Sequence, residues 1–286
     1  MPELPEVETV VRELRPQLVG RRLRGLRVSR FPLRREWSKA WAKLLHGRKV
    51  SAVRRRGKWI ILDLHEGAHL VLHLGMTGQL TVKRSGAPLD AHTHLIVDLD
   101  RGQKQLRFRD IRRFGSATVF QDANQLEAFL TKTGLGPEPF DVPAAYWRER
   151  LAGTNRCLKA VLLDQRVVAG IGNIYADEAL FQAHLHPTQI ARDTGREQAA
   201  RLQRAVVHVL KRAIDCRGSS IRDYVGGSGR KGEYQNEFLV YGRAGQPCPR
   251  CHTAIERIRL AGRSTHFCPH CQKPARANVG ISAKRT

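Results

Sequence analysis

The sequence reads Lys58-Trp-Ile-Ile-Leu-Asp-Leu64 and then, after four more residues, His69-Leu-Val-Leu-His-Leu74. Both runs are short and apolar, and the first is rich in Ile and Trp, so they predict two neighbouring β-strands. Six further short runs have similar character: 23–29, 47–54, 78–83, 94–99, 105–109 and 116–120. About eight strands in succession between residues 20 and 121 predict an all-β half, folded as a sandwich or a barrel.

An amphipathic helix is predicted ahead of these strands. Apolar residues recur there at helical spacing: Val7, Val10, Val11, Leu14 and Leu18. Pro5 stands where the first turn of a helix tolerates proline, and Gly20 stands where a helix can end. The front of this helix therefore carries Pro2, Glu3 and Glu6.

The pattern changes at Gly134-Leu-Gly-Pro-Glu-Pro-Phe140, where glycine and proline interrupt the alternation typical of strands. Beyond this point helical periodicity dominates, which predicts helices over about 143–152, 156–164, 173–184 and 194–216. We therefore expect a domain boundary near residue 134 and an α+β protein with more than one domain.

The charge of the chain points to a polyanionic partner. Lys and Arg total 50 against 26 Asp plus Glu, a formal net charge of +24. An anionic membrane is the competing explanation, but no apolar stretch approaches the ~20 residues of a spanning helix. The opening residues carry acids and prolines instead of the basic and apolar regions of a signal peptide. We therefore expect a cytoplasmic, nucleoid-associated protein that does not bind membranes.

Four cysteines form two C-x2-C pairs near the end of the chain. Cys248-Pro-Arg-Cys251 and Cys268-Pro-His-Cys271 are separated by sixteen residues, a spacing typical of a four-cysteine zinc site. Four thiolates leave no open position on the metal, so the site is expected to be structural. An iron cluster and a disulfide pair are the less favoured alternatives. The nearby His252, His266 and His270 are expected at the surface.

The segment between the cysteine pairs has room for a β-hairpin. It carries Arg257, Arg259 and Arg263 with few acids, which suits a finger that contacts DNA. A stabilising clip with a solvated basic face is the alternative, because a run of charges specifies a partner weakly.

Two glycine-containing segments invite a phosphate-binding interpretation. Val168-Ala-Gly-Ile-Gly-Asn-Ile-Tyr175 leads into a helix through two glycines and Asn173, a good helix cap, but spacing alone slightly favours an ordinary helix corner. Gly227-Ser-Gly-Arg-Lys-Gly232 matches the G-x-G-x-x-G pattern only formally, since no βαβ unit surrounds it. We expect a mobile loop there that closes over a ligand.

The residues at the front of the first helix suggest nucleophilic chemistry. Removal of Met1 leaves Pro2 with a secondary amine, and an α-amino group has an ordinary pKa near 8, so part of it is neutral at physiological pH. Attack of this amine on C1′ of a sugar gives an iminium, a strong electron sink. Glu3 is adjacent and able to donate a proton. Taken alone, however, these residues favour a plain helix start.

The opening Pro2-Glu-Leu-Pro-Glu-Val-Glu-Thr9 resembles that of the formamidopyrimidine-DNA glycosylases. Further blocks agree in the same order: His73–Met76, Arg112–Gly115, Gly134–Pro139, Gly170–Ala176, Gln235–Glu237, Val240–Arg243 and the two cysteine pairs. The resemblance implies an N-terminal helix with an eight-stranded β-sandwich, a helix-two-turns-helix domain and a C-terminal four-cysteine zinc finger. We place these over 1–133, 134–235 and 236–273, followed by a disordered basic tail over 274–286.

The resemblance also implies roles for single residues. It implies Pro2 as the Schiff-base nucleophile and Glu3 as the catalytic acid, with Glu6 supporting the lesion pocket. Phosphate contacts are implied for Lys58, His73, Asn173, Tyr241 and Arg263, of which Lys58 and Arg263 are counted with the catalytic set. The gap left by a flipped base is filled by Met76, Arg112 and Phe114, and Arg113 is expected to bind DNA beside them.

These implied roles describe a monomeric DNA glycosylase with abasic-site lyase activity and one structural Zn²⁺. Such an enzyme excises oxidised purines such as 8-oxoguanine and formamidopyrimidines from double-stranded DNA through an N-terminal proline Schiff base, and it cleaves the strand by β,δ-elimination. Leu4 favours this purine branch over relatives that excise oxidised pyrimidines, which usually have glycine there. Ile111 stands where relatives often have proline, so the local turn is expected to differ. A non-catalytic zinc-ribbon DNA-binding protein is the alternative from another class.

Overall fold

The computed structural model describes residues 1–220 and 224–274. They divide into two compact units. The first consists of Met1–Glu138, Val168–Gly170 and Leu210–Glu237, and the second of Pro139–Val167, Ile171–Val209 and the chain from Phe238 onward. Most of the predicted basic tail, residues 275–286, lies outside the described residues.

The elements follow the order that the sequence predicts, with two further helices, Lys39–Leu45 and Ala123–Lys132, that it did not predict. The strands are β1 (Leu23–Val28), β2 (Val50–Arg56), β3 (Trp59–Leu64), β4 (His69–His73), β5 (Gly78–Arg84), β6 (Thr93–Leu99), β7 (Lys104–Asp110), β8 (Ser116–Phe120), β9 (Glu256–Leu260) and β10 (Arg263–Phe267). The helices are α1 (Leu4–Leu18), α2 (Lys39–Leu45), α3 (Ala123–Lys132), α4 (Ala144–Ala152), α5 (Leu158–Leu163), α6 (Asn173–Gln182) and α7 (Arg196–Asp215).

The first unit is a β-sandwich of two four-stranded antiparallel sheets. Their strand orders are β1-β6-β7-β5 and β2-β3-β4-β8, which confirms the sandwich and excludes the barrel. The apolar face of α1 joins the core of the sandwich through residues such as Val7, Val10 and Leu14, all fully buried. The amphipathic spacing of α1 thus fixes the helix to the sandwich and holds its front end in place.

The outer face of β3 and β4 is covered by α3. Ile60 and Leu62 point into the sandwich core, whereas Ile61 packs with Val71 and Leu126 in a separate small cluster. A strand that is buried on both faces has a nearly continuous run of apolar residues, which explains the sequence of β3.

The second unit contains the helical segment and the cysteine-rich hairpin. β9 and β10 pair as a hairpin, from Arg263 opposite Leu260 to Phe267 opposite Glu256. A small apolar cluster that includes Phe181, Val240 and Cys248 packs beneath the cysteine pairs. Within residues 1–220 and 224–274, no helix is both long and apolar enough to cross a bilayer.

The predicted start of one helix at residue 173 is confirmed, but its predicted cap is wrong. The N-cap of α6 is Gly172, which adopts an extended conformation, and Asn173 is the first helical residue. The amide of Asn173 therefore does not cap the helix and is available for other contacts.

Candidate active site and nucleic-acid surface

The front of α1 brings two buried carboxylates next to Pro2, which is itself buried. Glu3 is 3% exposed and Glu6 is 2% exposed. They form a reciprocal capping box, in which the Glu3 N–H donates to Glu6 Oε2 at 2.8 Å and the Glu3 carboxylate accepts from the Glu6 N–H. This pairing satisfies helix N–H groups and fixes both acids beside the proposed nucleophile.

Two further contacts hold the helix front in place. The N–H of Leu4 donates to the carbonyl of Gly170 at 3.0 Å. Gly170 has φ +91°, and a Cβ there would lie 2.6 Å from the side chain of Leu4. Only glycine permits this approach, so the glycine turn predicted as a phosphate site also supports α1.

Glu6 also ties α1 to the segment after α7. Its Oε1 accepts from the N–H of Ser219 at 2.8 Å, and its carbonyl accepts from the Tyr224 hydroxyl at 3.1 Å. Glu6 is thus held both by its own helix and by this segment, and its supporting role in a lesion pocket stays a prediction.

Lys58 and His73 lie together at one end of β3 and β4. Trp59 is opposite His73 in the strand register, and Lys58, 7% exposed, directly precedes it. Burial lowers the pKa of His73 to about 4, and the nearby charges of Lys58 and Arg34 act in the same direction. The His73 Nδ1 accepts from the Gly75 N–H at 3.0 Å, so the neutral ring carries its proton on Nε2 and offers a donor there.

The proposed base-gap residues lie on two connections, β4–β5 with Met76 and β7–β8 with Arg112 and Phe114. Phe114 is 46% exposed, and the guanidinium carbon of Arg112 lies 4.6 Å from the centre of its ring. Arg113 between them has φ +55°, a left-handed conformation that turns the chain sharply. These side chains therefore project from a tight turn.

Asp110, fully buried, joins the two connections. Its Oδ1 accepts from the hydroxyl of Thr77 at 2.5 Å and its Oδ2 from the N–H of Gly115 at 2.7 Å. The N–H of Arg112 donates to the Thr77 hydroxyl at 3.1 Å. One carboxylate thus closes the turn that follows β7 and ties it to the residue after Met76. Sequence reasoning missed Asp110 and Thr77, because no local pattern links residues that are 33 positions apart.

In the second unit, Asn173, Tyr241 and Arg263 lie around the hairpin. The Asn173 Nδ2 donates to the carbonyl of Ser264 at 2.8 Å, directly after Arg263, which begins β10. The ring of Tyr241 packs edge-on against His266 at a centroid distance of 5.1 Å. The structure therefore brings these three predicted phosphate-binding residues to one neighbourhood.

A buried ion pair beneath the hairpin corrects one expectation. His266 is 7% exposed instead of lying at the surface, and both its N–H and its Nδ1 contact Asp177 Oδ2, at 3.0 and 3.2 Å. The other oxygen of Asp177 accepts from the ammonium group of Lys159, which is fully buried. Buried charges require such pairing, so this network fixes β10 on α6.

Glu178 holds the segment that carries Tyr241. Its carboxylate accepts from three consecutive N–H groups, those of Leu239, Val240 and Tyr241, at 2.8 to 3.2 Å. Burial raises the pKa of Glu178, while these backbone hydrogen bonds oppose the shift. Asp177 and Glu178 give no distinct signal in the sequence, because both stand within an ordinary helical run.

The four cysteines form a site suited to one metal ion. All four sulfur atoms lie within 4.8 Å of one another. The distances are 3.9 Å for Cys248–Cys271, 3.4 Å for Cys251–Cys268 and 3.5 Å for Cys251–Cys271. Tetrahedral Zn²⁺ with Zn–S bonds of about 2.3 Å needs sulfurs roughly 3.8 Å apart, so the residues fit a structural zinc. The main-chain N–H of Arg250 also donates to the Cys248 sulfur at 3.4 Å, and hydrogen bonds of this kind orient the ligands of a metal site.

Comparisons with known proteins cover the whole architecture. The family model of the formamidopyrimidine-DNA glycosylase N-terminal domain matches residues 1–117, that of the H2TH domain of the same glycosylase matches 135–225, and that of the zinc finger found in FPG and IleRS matches 245–274.

Single relatives agree with these domain matches. A formamidopyrimidine-DNA glycosylase of Chloroflexus aggregans is 46% identical, covering 95% of this chain and 98% of its own. Lactococcus lactis Fpg in complex with abasic-site DNA superposes with a TM-score of 0.88 at 36% identity, covering 95% and 99% of the two chains. MutM in complex with carbocyclic 8-oxo-G DNA gives 0.87 at 36%, covering 95% and 100%. The chain belongs to the formamidopyrimidine-DNA glycosylase family.

Proposed function

We propose that this chain excises oxidised purines from duplex DNA and then cleaves the abasic strand, using the amine of Pro2 as its nucleophile. The observation that carries the proposal is the front of α1, where Glu3 and Glu6 are buried beside Pro2. Structures of relatives with 8-oxo-G and abasic-site DNA support the substrate class. The net charge of +24 suits a polyanionic partner.

The amine forms once Met1, which is 49% exposed, has been removed. Its lone pair attacks C1′ of the damaged nucleotide, the bond from C1′ to the base breaks, and the base departs with the bonding electrons and a proton. The amine then loses its N–H proton, and its lone pair forms the C1′=N bond while the C1′–O4′ bond breaks and O4′ takes up a proton. The resulting iminium has no N–H proton to lose, so it withdraws electrons from the sugar. Loss of a C2′ proton then expels the 3′-phosphate, and a second elimination expels the 5′-phosphate.

Glu3 is the proton donor in this scheme and Glu6 positions it. A proton on the Glu3 carboxyl group passes to the leaving base or to the opening sugar oxygen. The capping box holds Glu3, while Ser219 N–H binds the other carboxylate oxygen of Glu6. Glu6 thus links Glu3 to the segment that contains Ser219 and Tyr224, which we propose covers the lesion.

The remaining residues bind DNA around the reacting sugar. Lys58, the neutral His73, Asn173, Tyr241 and Arg263 are the proposed phosphate contacts, and Lys58 and Arg263 also assist catalysis. The base gap is filled by Met76, Arg112, Phe114 and, next to them, Arg113. Zinc, held by its four cysteines, stabilises the hairpin that carries Arg263 and takes no part in the chemistry.

We propose the domain limits 1–133, 134–235 and 236–273 for this function, with the tail from residue 274 as an additional basic segment. The chain acts as a monomer on chromosomal DNA in the cytoplasm and nucleoid. A single copy suffices for the scheme because every residue in it comes from one chain.

Borohydride trapping tests the scheme. Reduction of the iminium should join the wild-type protein covalently to an 8-oxoguanine duplex, and peptide mapping should locate the adduct on the nitrogen of Pro2. Pro2→Gly should reduce the adduct well below the wild-type level, because the primary amine that replaces the secondary one gives a Schiff base that can lose its N–H proton and become a neutral, less reducible imine. Pro16→Ala is the matched control: it removes an exposed proline near the other end of α1 and should trap like the wild type.

Glu3→Gln separates the acid from the nucleophile. Glutamine retains an oxygen that accepts from the Glu6 N–H, so the helix cap survives, but it donates no acidic proton. Base release should fall by roughly 10²–10⁴-fold while DNA affinity stays the same.

Trapping of Pro2→Gly at the wild-type level, or an adduct on another residue, would refute the proposed nucleophile.

A further inference from the structure

The segment after β1 exposes an aromatic side chain beside the proposed base-gap turn. Phe31 is 50% exposed. The guanidinium carbon of Arg113 lies 5.8 Å from the centre of its ring, and the N–H of Arg34 donates to the carbonyl of Gly115 at 3.1 Å. Single exposed apolar residues are common, but this one lies next to the exposed Phe114 turn. The two segments therefore form one continuous surface.

A buried histidine holds the Phe31 segment in position. His94 is 3% exposed, and its Nδ1 is hydrogen-bonded to the hydroxyl of Ser29 at 2.9 Å while its Nε2 donates to the carbonyl of Asp110 at 3.0 Å. The main-chain N–H of Ser29 also donates to the His94 carbonyl. Asp110 is the residue that closes the base-gap turn, so the two segments share one buried anchor.

The charges around Phe31 favour a nucleic-acid partner. The guanidinium carbon of Arg30 lies 4.9 Å from the ring centre, so arginines flank the ring from the same segment and from the base-gap turn. An aromatic face between guanidinium groups matches the stacked bases and phosphates of DNA. A protein partner would need acidic side chains to offset this charge.

We propose that Phe31 is a further DNA-contacting residue, packing against the duplex next to the flipped nucleotide and extending the surface formed by Met76, Arg112 and Phe114. This inference rests on the proposed function of those three residues. It adds a third chain segment to the surface, one that neither the sequence pattern nor the resemblance indicates.

The test is the affinity for a duplex that contains a stable abasic-site analogue, measured by fluorescence polarisation. Phe31→Ala should raise Kd roughly tenfold, a typical loss for one stacked aromatic. The slope of log Kd against log salt concentration should not change, since phenylalanine neutralises no phosphate. Phe31→Tyr should bind like the wild type. Leu89→Ala, which removes an apolar side chain that is 61% exposed, is the matched control and should have no effect.

Two controls distinguish the loss of a DNA contact from a folding defect. Phe31→Leu preserves apolar packing against Arg113, so it should fold even if the alanine variant does not, and it should still lose affinity. Unchanged Kd for both variants would overturn the proposal, as would equal losses for Phe31→Ala and Leu89→Ala. If Phe114→Ala also leaves Kd unchanged, the base-gap assignment is wrong. If Phe114→Ala raises Kd and Phe31→Ala does not, only the inference about Phe31 is wrong.

Discussion

His73 shows how a single buried side chain acquires a fixed role. Its location beside Lys58 and away from solvent keeps the ring neutral, since burial and a neighbouring cation both disfavour a second proton. The bond from the Gly75 N–H to Nδ1 then leaves Nε2 as the only donor. In the proposed phosphate contact, the neutral His73 donor would orient the phosphate through its hydrogen bond, and Lys58 would supply the positive charge.

Stability should depend on the His73 proton in a predictable direction. The pKa of His73 falls from 6.5 to about 4 on folding, so between these values the unfolded chain binds the extra proton and the folded chain does not. The contribution is complete above pH 6.5 and is lost as pH falls towards 4. By pH 5 about 2 kcal/mol of it has been lost.

Urea unfolding at pH 7 and pH 5 measures this contribution. Asn in place of His73 retains an acceptor for the Gly75 N–H but has no titrating group. His73→Asn should therefore lose about 2 kcal/mol less free energy of unfolding between the two pH values than the wild type. Equal losses in both proteins would show that His73 titrates normally in the folded state.

At the scale of elements, the β4–β5 and β7–β8 connections behave as one unit because Asp110 bonds to both. A Cβ on Gly75 would lie 2.5 Å from the main chain of Phe114 and Gly115, so the two connections also touch through their backbones. Met76 and Phe114 are thereby held at a fixed separation. Ile111, which departs from the usual proline, is accommodated because the Asp110 side chain closes the turn.

Replacing Thr77 should loosen this arrangement. Thr77→Val keeps the shape of the side chain but leaves a buried carboxylate without one donor, a loss of about 1.5–3 kcal/mol for a bond to a charged group. Base release from an 8-oxoguanine duplex should slow roughly tenfold, because the base-gap residues are no longer held in place. Thr77→Ser, which retains the hydroxyl, should match the wild type.

Cleavage of a single-stranded abasic substrate gives the comparison for this variant. In the proposed scheme that reaction uses Pro2 but no residue that fills a base gap, so Thr77→Val should cleave this substrate at nearly the wild-type rate. Equal slowing on both substrates would indicate a general folding defect instead of misplaced base-gap residues. A melting temperature measured for each variant separates these outcomes further.

Elements with strong periodicity could be predicted, and two helices could not. The strand alternation and the α1 spacing match the structure closely because each reflects a buried face. α3 was missed although Leu126, Phe129 and Leu130 have helical spacing and Asp122 caps the helix. Its short apolar face borders the glycine- and proline-rich segment, which suggested an irregular connection. α2 was missed because only Leu45 is buried in it.

At the scale of the whole molecule, the site depends on contacts that no local pattern encodes. The motifs that this chain shares with the glycosylase family indicated which residues to examine. They did not indicate that Asp177 joins Lys159 to His266, or that Glu178 holds the segment that carries Tyr241. These bonds connect positions 18 to 89 residues apart. They are long-range consequences of packing the hairpin on α6, and they made His266 a buried residue instead of a surface one.

Zinc removal should therefore disable DNA binding through the hairpin. Without the metal, nothing bridges the four sulfur atoms, and the hairpin loses the clamp that keeps Arg263 near Asn173. Cys251→Ser, or extraction with a chelator, should lower the zinc content below one ion per chain and weaken binding to the abasic-analogue duplex by at least about tenfold.

Zn²⁺ added back to the extracted wild type should restore Kd. Cys157→Ser, a cysteine outside the cluster, should retain both zinc and affinity. Metal-free protein that binds the duplex with the wild-type Kd would show that the finger is only a stabilising clip.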